Sequence, residues 1–160
     1  METETKLSGK AIVAEAVSSQ RGTDYPEPFA VNIVERSKRA LGDAFGLTNF
    51  GVNLVHLPAG EISSQRHWHS KQDELVYVLA GELTLITDEG EQTIGPGMTA
   101  GFAAAVENGH QLVNRSEVEA VYLEVSDRSQ NDICEYPDID MRCVSQDNED
   151  IFIHKDGTPY

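Results

Sequence analysis

The sequence predicts an all-β domain, a sandwich or a barrel, and three observations carry that prediction. Short runs of apolar, aromatic and β-branched residues recur through the middle of the chain, each closed by a turn signal after about 8–12 residues. Their side chains alternate with a period of two, or form brief apolar stretches, and do not follow the helical period. The length, 160 residues, suits one domain with a single core large enough to fold without a disulfide or metal staple.

The elements follow in order. Tyr25-Pro26-Glu27-Pro28-Phe29 reads as extended, because each proline pushes the residue before it out of the helical region. Ser37–Leu41 fits a helical turn or a strand, and Gly42 and Gly46 weaken any longer helix. Phe50–Leu57 alternates on Phe50, Val52, Leu54 and His56 and stops at Pro58-Ala59-Gly60. Glu74–Leu79 is a compact strand ending near Gly81, and Glu82–Thr87 follows, closed by the hairpin turn Asp88-Glu89-Gly90. After the break at Gly95-Pro96-Gly97 come His110–Asn114 and Ala120–Val125, with a polar turn between them. Tyr136–Asp140 and Asp156–Tyr160 read as ordered loops packed on the barrel. The whole, 1–160, reads as one domain: a barrel at about 50–125, an N-terminal arm 1–49 and a C-terminal arm 126–160.

Twelve Lys and Arg against 27 Asp and Glu give a net charge of −15, which disfavours nucleic acid as a partner. The acidity is uneven: residues 1–60 carry seven acids and six bases, 61–130 twelve and four, 131–160 eight and two. No run approaches the length of a membrane helix, and the N-terminus lacks the apolar core of a secretory signal, so the expected location is the cytoplasm. Cys134 and Cys143 are too far apart for a C-x-x-C pair and read as reduced thiols.

The chemistry lies in Gln65-Arg66-His67-Trp68-His69-Ser70-Lys71-Gln72-Asp73-Glu74. Two histidines at i and i+2 on a strand share one face. Glu74 would face the other way on a continuous strand. If Ser70–Asp73 is a turn, the histidines close one strand, Glu74 opens the next, and all three aim at one interior. His110 follows the turn pair Asn108-Gly109, shares a strand face with Leu112 and Asn114, and is the natural fourth ligand. Three imidazoles and a carboxylate suit one divalent transition metal, Zn, Mn, Fe or Ni, with positions left open.

These residues resemble the cupin family. His67-x-His69-x4-Glu74-x6-Gly81 matches its first motif, and His110-x3-Asn114 matches the end of its second. Similar Ser64–Ser70, Tyr136–Asp140 and Asp156–Tyr160 segments occur in a group of small single-domain cupins, some named sugar or sugar-phosphate isomerases. The resemblance implies a double-stranded β-helix, a jelly-roll barrel, with His67, His69, Glu74 and His110 as metal ligands. It also implies a homodimer formed by strand or arm exchange. Three positions depart from the pattern: Glu61 replaces a glycine, Met98 replaces an aspartate, and Ala103–Ala105 replaces Pro-x-Gly, with Val106–Gly109 lengthening the approach to His110.

Ser63 and Gln65 share the face of His67 and His69, so they either bond a small-molecule ligand or satisfy local structure. Asn114 either orients a loop or touches substrate. Trp68 and Tyr77 have the opposite parity to the ligands, and His56 and His154 read as packed or surface residues. The expected function is metal-dependent action on a small polar molecule, such as isomerisation of a sugar or sugar phosphate through a polarised hydroxyl or carbonyl. The alternatives are an Fe(II) dioxygenase of a small organic acid and a non-catalytic ligand-binding protein. No independent base is visible. A phosphate also needs a cationic clamp, and residues 61–130 offer Arg66, Lys71, Arg115 and Arg128, of which Arg66 faces outward and Arg115 sits in a turn. That count weighs against a phosphorylated substrate, and an interior pocket with no cation would exclude one.

Overall fold

The structure, a computed structural model, describes residues 9–146 and 149–160. These residues form thirteen short strands, one turn of α-helix and a 3-10 turn at Ala14–Ala16. The N-terminal arm supplies β1 (Ser19–Arg21), β2 (Ser37–Ala40) and α1 (Leu41–Ala44). The central strands are β3 (Phe50–Leu57), β4 (Trp68–His69), β5 (Glu74–Ala80), β6 (Leu83–Thr87), β7 (Gly90–Ile94), β8 (Thr99–Phe102), β9 (Gln111–Val113) and β10 (Ala120–Asp127). The C-terminal arm adds β11 (Ile133–Tyr136), β12 (Met141–Gln146) and β13 (Glu149–Ile153).

All pairings are antiparallel. One sheet runs β1-β2-β3-β10-β5-β8, a second β13-β12-β11-β4 and a third β7-β6-β9. This is the all-β fold expected from the alternating runs, in the jelly-roll form that the cupin resemblance implies. The period-two pattern decides which residues fill it. On β5, Val76 and Val78 are buried while Leu75, Tyr77 and Leu79 are exposed. The apolar core joins Val55 and Leu57 of β3, Val76 and Val78 of β5, Leu83 and Leu85 of β6, Leu112, and Ala120 and Tyr122 of β10. Further along the same inward faces the residues turn polar, Glu74 on β5 and Glu124 on β10 both lining a cavity. The barrel is thus closed by hydrocarbon at one end and polar at the other.

Gly81 shows why the first motif ends in glycine. Its φ is +75°, and a Cβ built there would lie 2.7 Å from both the Ala120 Cα and the Glu119 carbonyl oxygen. Only a residue without a side chain lets the β5–β6 turn pass so close to β10.

One expectation for the arms needs correction. The two C-terminal loops stand as expected and belong to a sheet: β11, β12 and β13 pair and recruit β4, with Cys134 opposite His69 and Glu135 opposite Trp68. Tyr136–Asp140 is its tight connection, and Asp156–Tyr160 folds back through a bridge between Ile153 and Pro159. The N-terminal Tyr25–Phe29 segment does not run on as extended chain; residues 27–32 turn, with the Phe29 N–H donating to the Pro26 carbonyl. Ser37–Leu41 combines both readings, a strand that passes directly into α1. Among the described residues, no helix is long and apolar enough to cross a membrane.

Candidate metal centre

His67 and His110 are brought together by backbone pairing. The His67 N–H donates to the His110 carbonyl at 3.1 Å and the His110 N–H returns to the His67 carbonyl at 2.8 Å. That reciprocal rung sets the two imidazoles side by side, ring centroids 4.5 Å apart. His69 closes β4, residues 70–73 form the polar connection, and Glu74 opens β5. The three Nε2 atoms converge on one oxygen: Glu74 Oε2 lies 2.7 Å from His110 and 3.4 Å from both His67 and His69. His67, Glu74 and His110 hold their ligand atoms within 4.8 Å of one another.

Each imidazole is oriented differently. The Gln65 carbonyl accepts from His67 Nδ1 at 2.8 Å. Asp132 Oδ2 accepts from His69 Nδ1 at 2.6 Å. Both bonds hold a proton on Nδ1 and direct Nε2 inward, the atom left to meet a metal. His110 Nδ1 has no hydrogen-bond partner, and its ring is held by Phe102, stacked on it at 3.6 Å and 2°. Phe102 lies opposite Glu74 on β8, so one rung positions two parts of the centre.

The electrostatics suit a cation. Burial alone would raise the Glu74 carboxyl, but the surrounding imidazoles outweigh it and hold Glu74 well below the usual carboxylate range. Burial, with the nearby His67 and His69, lowers His110 against the pull of Glu74, so this ring is neutral. At His69 burial works against the imidazolium, yet Asp132 and Glu74 prevail and push it up to about 10. A metal binding there displaces that proton. Glu74 Oε2 is buried and makes no well-formed hydrogen bond despite its three neighbours. A buried carboxylate oxygen left in this state, ringed by imidazole nitrogens, fits a first-row divalent cation. A second group, His67, His69 and Cys134, also brings its ligand atoms together. Burial pushes the Cys134 thiol well up and keeps it protonated, which makes it the poorer donor set.

The centre borders two cavities. The broader, about 1220 Å3, is lined by His67, His69 and Glu74 together with Ser63, Tyr25 and Tyr136. The narrower, about 240 Å3, reaches His69, Glu74 and His110 past Trp68 and Phe102. Ser63 faces the broad cavity, while its Oγ accepts from the Leu112 N–H at 3.0 Å. Gln65 lines neither cavity; its amide donates to the Phe29 carbonyl at 2.8 Å and ties the N-terminal arm to the barrel. Asn114 also lines neither. It is fully buried, donates to the Leu57 and Val118 carbonyls, and accepts from Ser116, which fixes the loop before β10. Arg66 faces outward to Asp88 and Asp138, His56 sits between Glu15 and Glu119, and His154 meets Asp140.

Four contributors escape a reading of the motifs. Asp132 lies far along the chain, with nothing local to mark it. Phe102 is visible only through the β5–β8 register. Arg36 and Lys38 line the broad cavity from the N-terminal arm, outside residues 61–130; the signal for them is their i, i+2 spacing, with Arg36 just before β2 and Lys38 within it. The interior is therefore not free of cations, and a phosphorylated substrate stays open.

Residues 53–126 match the cupin domain family. No curated protein matches the sequence. A solved cupin-superfamily sugar phosphate isomerase from Silicibacter pomeroyi DSS-3 is 40% identical, with a TM-score of 0.90 over 94% of this chain and 96% of that one. A protein from Acidithiobacillus ferrooxidans ATCC 23270, provisionally named a sugar phosphate isomerase, is 28% identical, with a TM-score of 0.71 over 79% and 80% of the two chains. A predicted oxalate decarboxylase from Thermotoga maritima, 16% identical with a TM-score of 0.62 over 75% and 100%, shares the fold alone. With its barrel, its paired motifs and this likeness over nearly the whole length, the chain belongs to the cupin superfamily.

Proposed function

We propose that the protein is a metal-dependent isomerase of a small polyhydroxy compound of the sugar or sugar-phosphate class. The observation that carries this reading is the convergence of three imidazoles on one buried carboxylate at the wall of a broad polar cavity. The likeness to a sugar phosphate isomerase at 40% identity supports it. One divalent metal, Zn, Mn, Fe or Ni, held by His67, His69, Glu74 and His110, would polarise a hydroxyl or carbonyl and acidify the neighbouring proton. The chain supplies the rest. Gln65 and Asp132 hold Nδ1 of His67 and His69 and so keep both Nε2 atoms directed inward. Burial keeps the phenols of Tyr25 and Tyr136 protonated at neutral pH, and the two are hydrogen-bonded to each other on the cavity wall. Gln72, Ser126 and the Lys38–Glu124 pair give the cavity wall further donors and acceptors for hydroxyl groups.

The test is proton exchange. Protein as purified, its metal content measured, is incubated with aldoses, ketoses and their phosphates in D2O and followed by proton NMR. The expected result is deuterium at the carbon beside the carbonyl, lost after chelation and in Glu74→Ala. Iron with oxygen uptake and no exchange would replace the isomerase by a dioxygenase. Ligand binding with neither activity would leave a binding protein.

A homodimer belongs to the same proposal. Leu75, Tyr77 and Leu79 stand exposed in a row on the outward face of β5, an apolar stripe that a second copy would cover.

A further inference from the structure

The broad cavity holds a charge that the metal centre does not account for. Four Arg and Lys side chains line it: Arg21, Arg36, Lys38 and Arg128. Three are neutralised, Arg21 by Glu35, Lys38 by Glu124 at 2.8 Å and Arg128 by Asp43. Arg36 is the most deeply buried of the four, 8% exposed, yet among the described residues no carboxylate pairs with its guanidinium. Its Nη1 donates to the Ser63 carbonyl and its Nη2 to the Gly22 carbonyl at 2.7 Å, while Nε is buried with no acceptor. A guanidinium carries five N–H donors, so these two bonds leave most of its capacity unused. An unpaired buried cation is costly, and peptide carbonyls do not cancel its net charge.

Its position gives the charge a use. Arg36 shares the inward parity of Lys38 at the start of β2. Its bond to Ser63 places it beside the segment that leads through Ser64 to His67, all lining the same cavity. Tyr25, on the same wall, feels the Arg36 charge. The surrounding protein is strongly acidic and repels free anions, so an anionic substrate needs one local cation to hold it.

We propose that Arg36 receives the anionic group of the substrate, a phosphomonoester or a carboxylate, while the reacting hydroxyl or carbonyl lies at the His67–His69–Glu74–His110 centre. This rests on the reading of that centre as the place where substrate is processed. The planar guanidinium matches two oxygens of either group in a forked pair of hydrogen bonds, which a lysine does not reproduce.

Calorimetric titration with inorganic phosphate, and separately with acetate, tests it. Wild type, Arg36→Gln and Arg36→Lys are compared, each as purified and after chelation, so that coordination of the anion by metal is separated from binding at Arg36. At least one probe is expected to bind wild type and to lose about 10–100-fold in affinity in Arg36→Gln, with a partial loss in Arg36→Lys. Phosphate as the binder identifies a phosphomonoester, acetate a carboxylate. If the variants fold poorly, the Arg36 Nε–H NMR signal of the wild type decides instead and should shift on titration. Neither probe binding, an Arg36 signal that stays still, or undiminished binding in a folded Arg36→Gln overturns the proposal. Arg36-dependent binding without isomerisation would keep this site and remove the isomerase reading; exchange activity without anion binding would do the reverse.

Discussion

Replacing Asp132 by asparagine tests how the centre holds His69. Asp132 is 1% exposed and takes the Ser70 hydroxyl and the Lys71 and Gln72 amides on Oδ1, and His69 Nδ1–H on Oδ2. Asparagine fills the same volume but keeps a single acceptor oxygen. Three donors hold that oxygen at the Oδ1 position, so the NH2 group faces His69. Nδ1 must then accept, so the one proton of the neutral ring sits on Nε2, the atom aimed at Glu74. A protonated Nε2 has no lone pair for a metal. The cost is one charge-assisted hydrogen bond, about 1.5–3 kcal/mol, or roughly 10–100-fold in metal affinity, the range found when a ligand's orienting partner is lost. Loss of the carboxylate also loosens the proton on the free ring, which by itself favours metal; a net fall in affinity therefore reports the tautomer. Competition with a chromogenic zinc chelator measures the affinity, and long-range nitrogen–proton NMR of the metal-free protein reads the tautomer. Unchanged zinc affinity, or an Nδ1–H retained in the variant, would refute the reasoning.

Three further outcomes are expected. Gly81→Ala should cost about 2–4 kcal/mol, from a left-handed backbone that a side chain disfavours and from overlap with β10. It would read as a drop of roughly 5–15 °C in melting temperature; a drop below ~2 °C would contradict the close approach. At His56 burial opposes the charged ring, but Glu119 and Glu15 outweigh it and raise the imidazole above 6.5. A raised folded value stabilises fully below the unfolded pKa, and that stability is lost as pH rises through the folded one. Urea titrations should therefore show His56→Gln costing more at pH 5.5 than at pH 9, and a penalty that grows with pH would reverse the assignment. Tyr77→Glu should convert a dimer to a monomer in size-exclusion chromatography with light scattering; a wild type that elutes as a monomer removes the dimer.

The parts of this molecule that sequence makes legible are those fixed by local period. Phe50–Leu57 is a strand from its first residue to its last, because alternation and the Pro58–Gly60 stop are both local signals. The His-x-His and Glu74 geometry follows from placing a turn at Ser70–Asp73. The C-terminal strands are harder to see: each is short, and β11 derives its role from pairing with the two-residue β4 more than 60 positions earlier. Asp132 and Arg36 share that difficulty. Each reaches the cavity through tertiary pairing, and no spacing along the chain connects either of them to His67 or Glu74.

The pairing of β4 with β11 has a consequence for biosynthesis. His67, His69, Glu74 and His110 all leave the ribosome before the strand and the carboxylate that hold His69 in place have been made. The barrel can begin to close while one of its imidazoles is still free to turn. Metal acquired at that stage would meet all four ligands with His69 not yet fixed, so loading with the right geometry follows synthesis of the C-terminal strand β11.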